Sequence, residues 1–151
     1  MTNLEFEELC RAASLALGIE DTGKLAHEGR IEIDDVAIGF FFNEKLNDGK
    51  MHCYVDLGAF DSADRTDVYG ELLTMNLFTG SKTSAVFAID PNSSHALMVS
   101  QLLASANLTG ENLANIFRAY AQLARKLRSG LLHGADDMPL FDVAACAENF
   151  A

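Results

Sequence analysis

Residues 71–80 read ELLTMNLFTG, and the way this segment buries its apolar side chains decides the architecture. Taken as one helix from Asp67 to Thr79, at ~100° per residue, it places Val68, Leu72, Met75 and Thr79 on one narrow stripe. Tyr69, Leu73, Asn76 and Leu77 form a second stripe beside the first, with Phe78 on the flank. A surface helix facing a single core needs an apolar arc of about 100°. This arc is much wider, so the helix has a second surface to bury.

The flanking sequence supplies the first core. Thr2 followed by Glu5 is a capping box, after which Phe6, Leu9, Cys10, Ala13 and Leu17 recur at helical spacing, with Glu8 and Arg11 opposite and Gly18 as a stop. Leu4 and Leu15 lie off that stripe. From Glu28 to Leu57 the period changes to two. RIEI, VAIGFFF and MHCYVDL each alternate sides and predict three strands. Asp34-Asp35 breaks the first from the second, and NDGK, with its Asp48-Gly49 pair, is a hairpin turn between the second and third. FDSADRTD then reads as a loop into the two-sided helix.

Beyond that helix Gly80 ends the element, and SAVFAID and HALMVSQLL form a second hairpin across the turn PNSS. Thr109 caps a long final helix in which Leu113, Ile116, Phe117, Tyr120, Leu123, Ala124 and Leu127 share one face, and Gly130 is its expected end. Residues 133–151 lack periodicity and read as a C-terminal tail, partly disordered or loosely docked. The expected fold is α+β, in the order α-β-β-β-α-β-β-α, with helices on an antiparallel five-stranded sheet over residues 1–132.

Composition narrows the function classes. The 151 residues carry 22 acidic and 11 basic side chains, a net charge of -11. Nucleic acid and anionic membrane surfaces are poor partners for such a chain, because both need clustered Lys and Arg. No apolar run approaches the ~20 residues of a membrane span, and MTNLEFEELC is not a signal peptide, so membrane insertion is not expected and the chain reads as cytoplasmic. Cys10, Cys53 and Cys146 are odd in number with no CxxC. Cys10 and Cys53 read as small buried hydrophobes.

Chemistry-bearing patterns are sparse. His27, His52, His95 and His133 show no HxxxH or HExxH spacing, and GxSxG, GxGxxG and GxxxxGK are absent. Asp61, Asp64 and Asp67 come at three-residue spacing, but acids before a helix are better read as solvated groups near its positive N-terminus. Asn76 is the one polar candidate in a greasy setting, and a buried amide needs partners. It is expected to bond backbone and fix register. What stands out is apolar surplus: Phe41 opposes Phe40 and Phe42, Val86 opposes Phe87 and Ile89, and Met98 opposes Leu97 and Val99. Helices cover one face of such a sheet, and an open apolar face marks an interaction site.

The order of elements, the acidic balance, ELLTMNLFTG, the hairpin SAVFAIDPNSSHALMVSQLL and the capped helix TGENLANIFRAYAQLARKL together resemble the class I type III secretion chaperones of the Tir chaperone (CesT-like) family, over roughly residues 3–130. The resemblance implies a homodimer in which Val68, Tyr69, Leu72, Met75, Asn76 and Phe78 meet both the sheet and a second copy across a two-fold axis. The second surface would then bury against the twin. It also implies no enzymatic activity and no cofactor, and no metal is expected because the local sequence holds no ligand cluster. The implied partner is a secreted effector, bound through its N-terminal chaperone-binding segment in extended form, with the secretion ATPase as a further one, in the cytoplasm of a Gram-negative bacterium and in a virulence setting. Leu4, Leu15, Phe41, Tyr54 and Met98 are the surplus apolar residues assigned to the effector groove. Two other readings stay open: a hot-dog-like acyl thioesterase, with Asn76 orienting a thioester, and a non-secretory adaptor of the same build.

Overall fold

Thr2 begins the first helix by the expected reciprocal cap. Its hydroxyl accepts the Glu5 N–H at 3.2 Å, and the Glu5 carboxylate accepts the Thr2 N–H at 2.7 Å. In this computed structural model, which describes residues 1–46, 49–60, 64–79, 85–105 and 107–133, α1 runs Asn3–Leu17 and stops at Gly18, with φ 75°. A short α2, Lys24–Glu28, follows between Gly23 and Gly29 and buries Leu25. Five residues are too few for a periodic signal, so only its glycines mark it in the sequence.

The strands β1 (Arg30–Ile33), β2 (Val36–Phe42) and β3 (Lys50–Ala59) come next. Asp34 and Asp35 turn β1 into β2 with φ of 49° and 62°, a left-handed pair that short polar side chains tolerate better than bulky ones. Asn47 and Asp48 of the NDGK turn lie outside the described residues, as do Asp61 in the following loop and Gly80 after the two-sided helix. That helix, α3, spans Arg65–Thr79, and β4 (Val86–Ile89), β5 (His95–Leu103) and α4 (Gly110–His133) are the last elements among the described residues. The turn before β5 is organised by the Asp90 carboxylate, which accepts from the Asn92 N–H at 3.0 Å and the Ser93 hydroxyl at 2.6 Å. These bonds hold the Asp90 carboxyl below its usual range.

The sheet order is β1-β2-β3-β5-β4, and every neighbouring pair is antiparallel. Register puts Phe40 opposite Cys53, which is itself opposite Ser100, and Ile38 opposite Val55, which is itself opposite Met98. These side chains make the covered face. Phe6 of α1 packs on Phe40 and Phe42 with ring centroids 5.2 and 5.6 Å away, and Phe117 of α4 meets Phe40 edge-on at 5.3 Å. Ser100 shares a 2.8 Å hydrogen bond with the Tyr120 hydroxyl, so the polar atom on this face is satisfied. Cys10 and Cys53 are both fully buried, as expected of small hydrophobes. Burial, helped by the Glu7 charge, pushes the Cys10 thiol up to about 12, and burial raises Cys53 further.

α4 begins where expected, with the Thr109 hydroxyl accepting the Asn112 N–H at 3.2 Å. It does not end at Gly130, which lies inside it, but runs on to His133. An interior helical glycine costs about 1 kcal/mol, less than the packing of the preceding turns supplies. The expectation of a loosely docked tail beyond this point falls on residues 134–151, outside those described.

Candidate interaction surfaces

The two stripes of α3 separate cleanly. Val68, Leu72 and Met75 are buried, at 1%, 3% and 4% exposure, within the subunit's own core. Leu73 and Leu77 are 70% and 76% exposed, and Tyr69 is 40% exposed with its ring edge-on to Phe60 at 6.1 Å. The helix therefore does have a second, uncovered apolar surface, but its membership differs from the expected set. Val68, Leu72 and Met75 belong to the first surface, and Leu73 and Leu77 replace them on the second. The side chain of Phe78 lies outside those described.

Asn76 sits between the stripes, and both its amide nitrogen and its oxygen are hydrogen-bonded. Its Nδ2 donates to the Phe87 carbonyl at 2.9 Å, and its Oδ1 accepts the Phe87 N–H at 2.7 Å. A side-chain amide has the same donor and acceptor as a peptide group, so Asn76 pairs with the edge strand β4 as one residue of a further strand would. The expected backbone bond is present, but inside the subunit. One donor and one acceptor of the amide are thus occupied within the subunit. One turn earlier on the helix, Glu71 has its carboxyl pushed up, first by burial and then by the Asp67 charge, and its Oε2 lacks a partner among the described residues.

The opposite face of the sheet carries the other parity. Phe41 and Tyr54 stand on it, 48% and 39% exposed, ring edge to ring face at 5.8 Å. The Phe41 ring lies over two glycines. A Cβ on Gly39 would come within 2.9 Å of it, and one on Gly29 within 2.5 Å, so no larger residue at either position leaves room for the ring where it lies. Gly29 also has φ 64°, a conformation that favours glycine. At the end of this face Asp56 meets His95 Nδ1 at 2.9 and 3.0 Å through its two oxygens and accepts the Gly58 N–H at 2.7 Å, fixing the bulge in β3 between Asp56 and Gly58.

Met98 is not on this face. It is fully buried, opposite Val55 and Phe87 on the covered side, which corrects its assignment to the groove. Alternation shows that Met98 and its neighbours Leu97 and Val99 face opposite ways, and leaves open which side the helices take. Among the described residues no three His, Cys, Asp or Glu are placed to hold a metal ion, and no helix is long and apolar enough to cross a membrane.

The sequence matches the Tir chaperone protein (CesT) family over residues 45–128, from just before β3 into α4. The chain belongs to that family. A search of curated proteins finds no match. Among solved structures, a chain described as "Crystal Structure of the ExsC-ExsE Complex" is similar, with a TM-score of 0.67, 14% identity, and coverage of 88% of this chain and 98% of that one. At that identity the likeness shows the fold, which is the expected α+β chaperone fold.

Two features of this CesT-family chain lie on or near α1. Leu4 and Leu15 are 62% and 73% exposed, and eleven residues apart they fall ~20° from one line along the helix. Beside its N-terminus Met1, Glu5, Leu9, Ala104, Ser105 and Leu108 line an open cleft of about 340 Å³. The Glu5 carboxyl at its rim is held low chiefly by its hydrogen bond to the Thr2 backbone. No sequence pattern announces this cleft, because its walls are far apart in the chain.

Proposed function

We propose that this CesT-family chain is a homodimeric type III secretion chaperone, acting in the cytoplasm on the N-terminal chaperone-binding segment of a secreted effector. The observation that carries the reading is the pairing of open apolar surfaces with the lack, among the described residues, of a metal-holding cluster. One is the α3 stripe of Tyr69, Leu73 and Leu77; the others are Phe41 and Tyr54 on the open sheet face, and Leu4 and Leu15 on α1, which packs on the opposite face. A stripe of this kind on a regular helix suits a two-fold copy of itself, since an isologous contact places the same residues on both sides. The more scattered residues suit an extended segment, which reaches several shallow sites at once. In this reading the chaperone keeps the effector segment soluble and secretion-competent, has no catalytic role, and hands its cargo on to the secretion ATPase.

The dimer is tested by light scattering at micromolar concentration. The wild type should show about twice the 16.4 kDa chain mass, and Leu73→Asp with Leu77→Asp should give a folded monomer, because two charges cannot be buried unpaired at low cost. A wild-type monomer ends the homodimer part of the proposal.

Effector recognition is tested by a paired measurement on Phe41→Ala and Leu15→Ala, with the N-terminal segment of the secreted protein encoded beside this one as ligand. Calorimetry should show a loss of about 2 kcal/mol or more in binding for a truncated anchor, while urea melting should show about 1 kcal/mol or less in folding. Normal binding with a large loss of stability would assign both residues to packing and remove the sheet face from the site.

A further inference from the structure

Asn76 marks where the sheet stops and the exposed stripe of α3 starts. It takes up the N–H and carbonyl of Phe87 on the edge strand β4, so another chain cannot pair with the strand at that residue. Leu73 and Leu77 lie ~60° and ~100° round the helix from Asn76, on the side away from buried Val68, Leu72 and Met75. On β4 itself Val86, next to Phe87, turns to the open face of the sheet and is 50% exposed. The apolar surface of α3 therefore continues across the β4 edge.

Register carries it further. Val86 stands opposite Val99 and Ala88 opposite Leu97, and Val99 stands opposite Tyr54. Between His95 and Gln101 the β4–β5 half of this face thus presents Val86, Ala88, Leu97 and Val99, with no charge among them. The β1–β3 half differs, because Arg30, Glu32, Lys50, His52 and Asp56 share it with Phe41 and Tyr54. Charged residues are depleted at the cores of protein interfaces, so the two halves suit different neighbours.

Size points the same way. A stable interface takes about 800 Å² from each partner. Tyr69, Leu73 and Leu77 are 40%, 70% and 76% exposed. Even if each were as large as an aromatic side chain, at ~150–250 Å², they would supply roughly 300–450 Å² together. The remainder has to come from adjoining surface, and Val86, Leu97 and Val99 adjoin the stripe without an intervening charge.

We propose that the two-fold contact between copies runs from α3 over the β4 edge onto the β4–β5 half of the open sheet face, burying Val86 and Val99 of each copy against the other. This rests on the homodimer proposed above and gives it an extent. The copies meet face to face beside β4 instead of pairing their edge strands, and a bound effector segment is confined to the β1–β3 half.

Val86→Glu tests this in the full chain, with Gln122→Glu as control, since it adds the same charge on the exposed side of α4. Light scattering over a dilution series gives the dimer dissociation constant of each. Val86→Glu should raise it tenfold or more, with the urea midpoint unchanged because Val86 is open in the single subunit, and Gln122→Glu should leave it within twofold. A second measurement needs no loss of the dimer. The thiol introduced by Val86→Cys should react with iodoacetamide severalfold more slowly above the dissociation constant than below it, read at that position by mass spectrometry. A wild type that stays monomeric overturns the homodimer and its extent together. A wild-type dimer whose dissociation constant is unchanged in Val86→Glu, or a thiol at position 86 equally reactive at both concentrations, overturns the extended contact alone and restricts the interface to α3.

Discussion

Phe40→Ala is expected to lower the free energy of unfolding by about 3–5 kcal/mol. The side chain is fully buried, and its ring touches Phe6 of α1 at 5.2 Å and Phe117 of α4 at 5.3 Å. It is therefore the point where both helices meet β2. A cavity there is lined by three separately anchored elements, so it cannot close by moving one side chain, and the cost falls toward the top of the range for such deletions. Phe41, the next residue, is 48% exposed, and the same truncation there should cost about 1 kcal/mol or less. Urea melts of the two variants, read as midpoints at constant slope, measure the contrast. A loss below about 2 kcal/mol at Phe40 would mean that the layers repack to fill the space.

Gly110→Ala should destabilise by about 3 kcal/mol, the upper part of the range for overpacking. The sign is informative, because exchanging glycine for alanine in a helix ordinarily gains about 1 kcal/mol. Here α4 starts against the backbone of α1. A Cβ on Gly110 would overlap the Ala12 Cβ and come within 2.6 Å of the Ala12 carbonyl carbon and 2.8 Å of the Ala13 nitrogen. Backbone atoms inside a helix cannot swing aside as a side-chain end does, so α4 must lift from α1 along their contact. Gly70→Ala is the matched control. It lies on the exposed side of α3, where an added Cβ meets nothing within 4 Å, and should raise stability by up to about 1 kcal/mol. Opposite shifts in thermal midpoint are the expected result, and a stabilised Gly110→Ala would show that the helices have room to part.

The order of the three long helices and five strands, the capping box at Thr2, the cap at Thr109 and the two-sided character of α3 were all legible in the sequence. Each is a property of a few neighbouring residues: a hydroxyl three positions before a glutamate, or a period of two changing to one near 3.6. The acidic balance and the apolar surplus were legible for the same reason, since counting needs no geometry. Periodicity also showed that Phe41 and Tyr54 oppose Phe40 and Cys53, and so isolated the pair that the structure leaves exposed.

What only the tertiary structure decided was which of two equivalent assignments holds. In β5 either Met98 or its neighbours Leu97 and Val99 could face the helices. The answer came from register with Val55 and Phe87, set by pairings dozens of residues away in one case. On α3 either stripe could have faced the sheet, and Asn76 settled it by pairing with Phe87, which leaves Leu73 and Leu77 outside. The five-residue α2 and the passage of α4 through Gly130 escaped for a different reason: local preferences of about 1 kcal/mol per residue are smaller than the packing that overrides them. Alternation along a chain is a local steric fact, whereas the choice of buried side is a collective one, fixed when distant segments close on the same core.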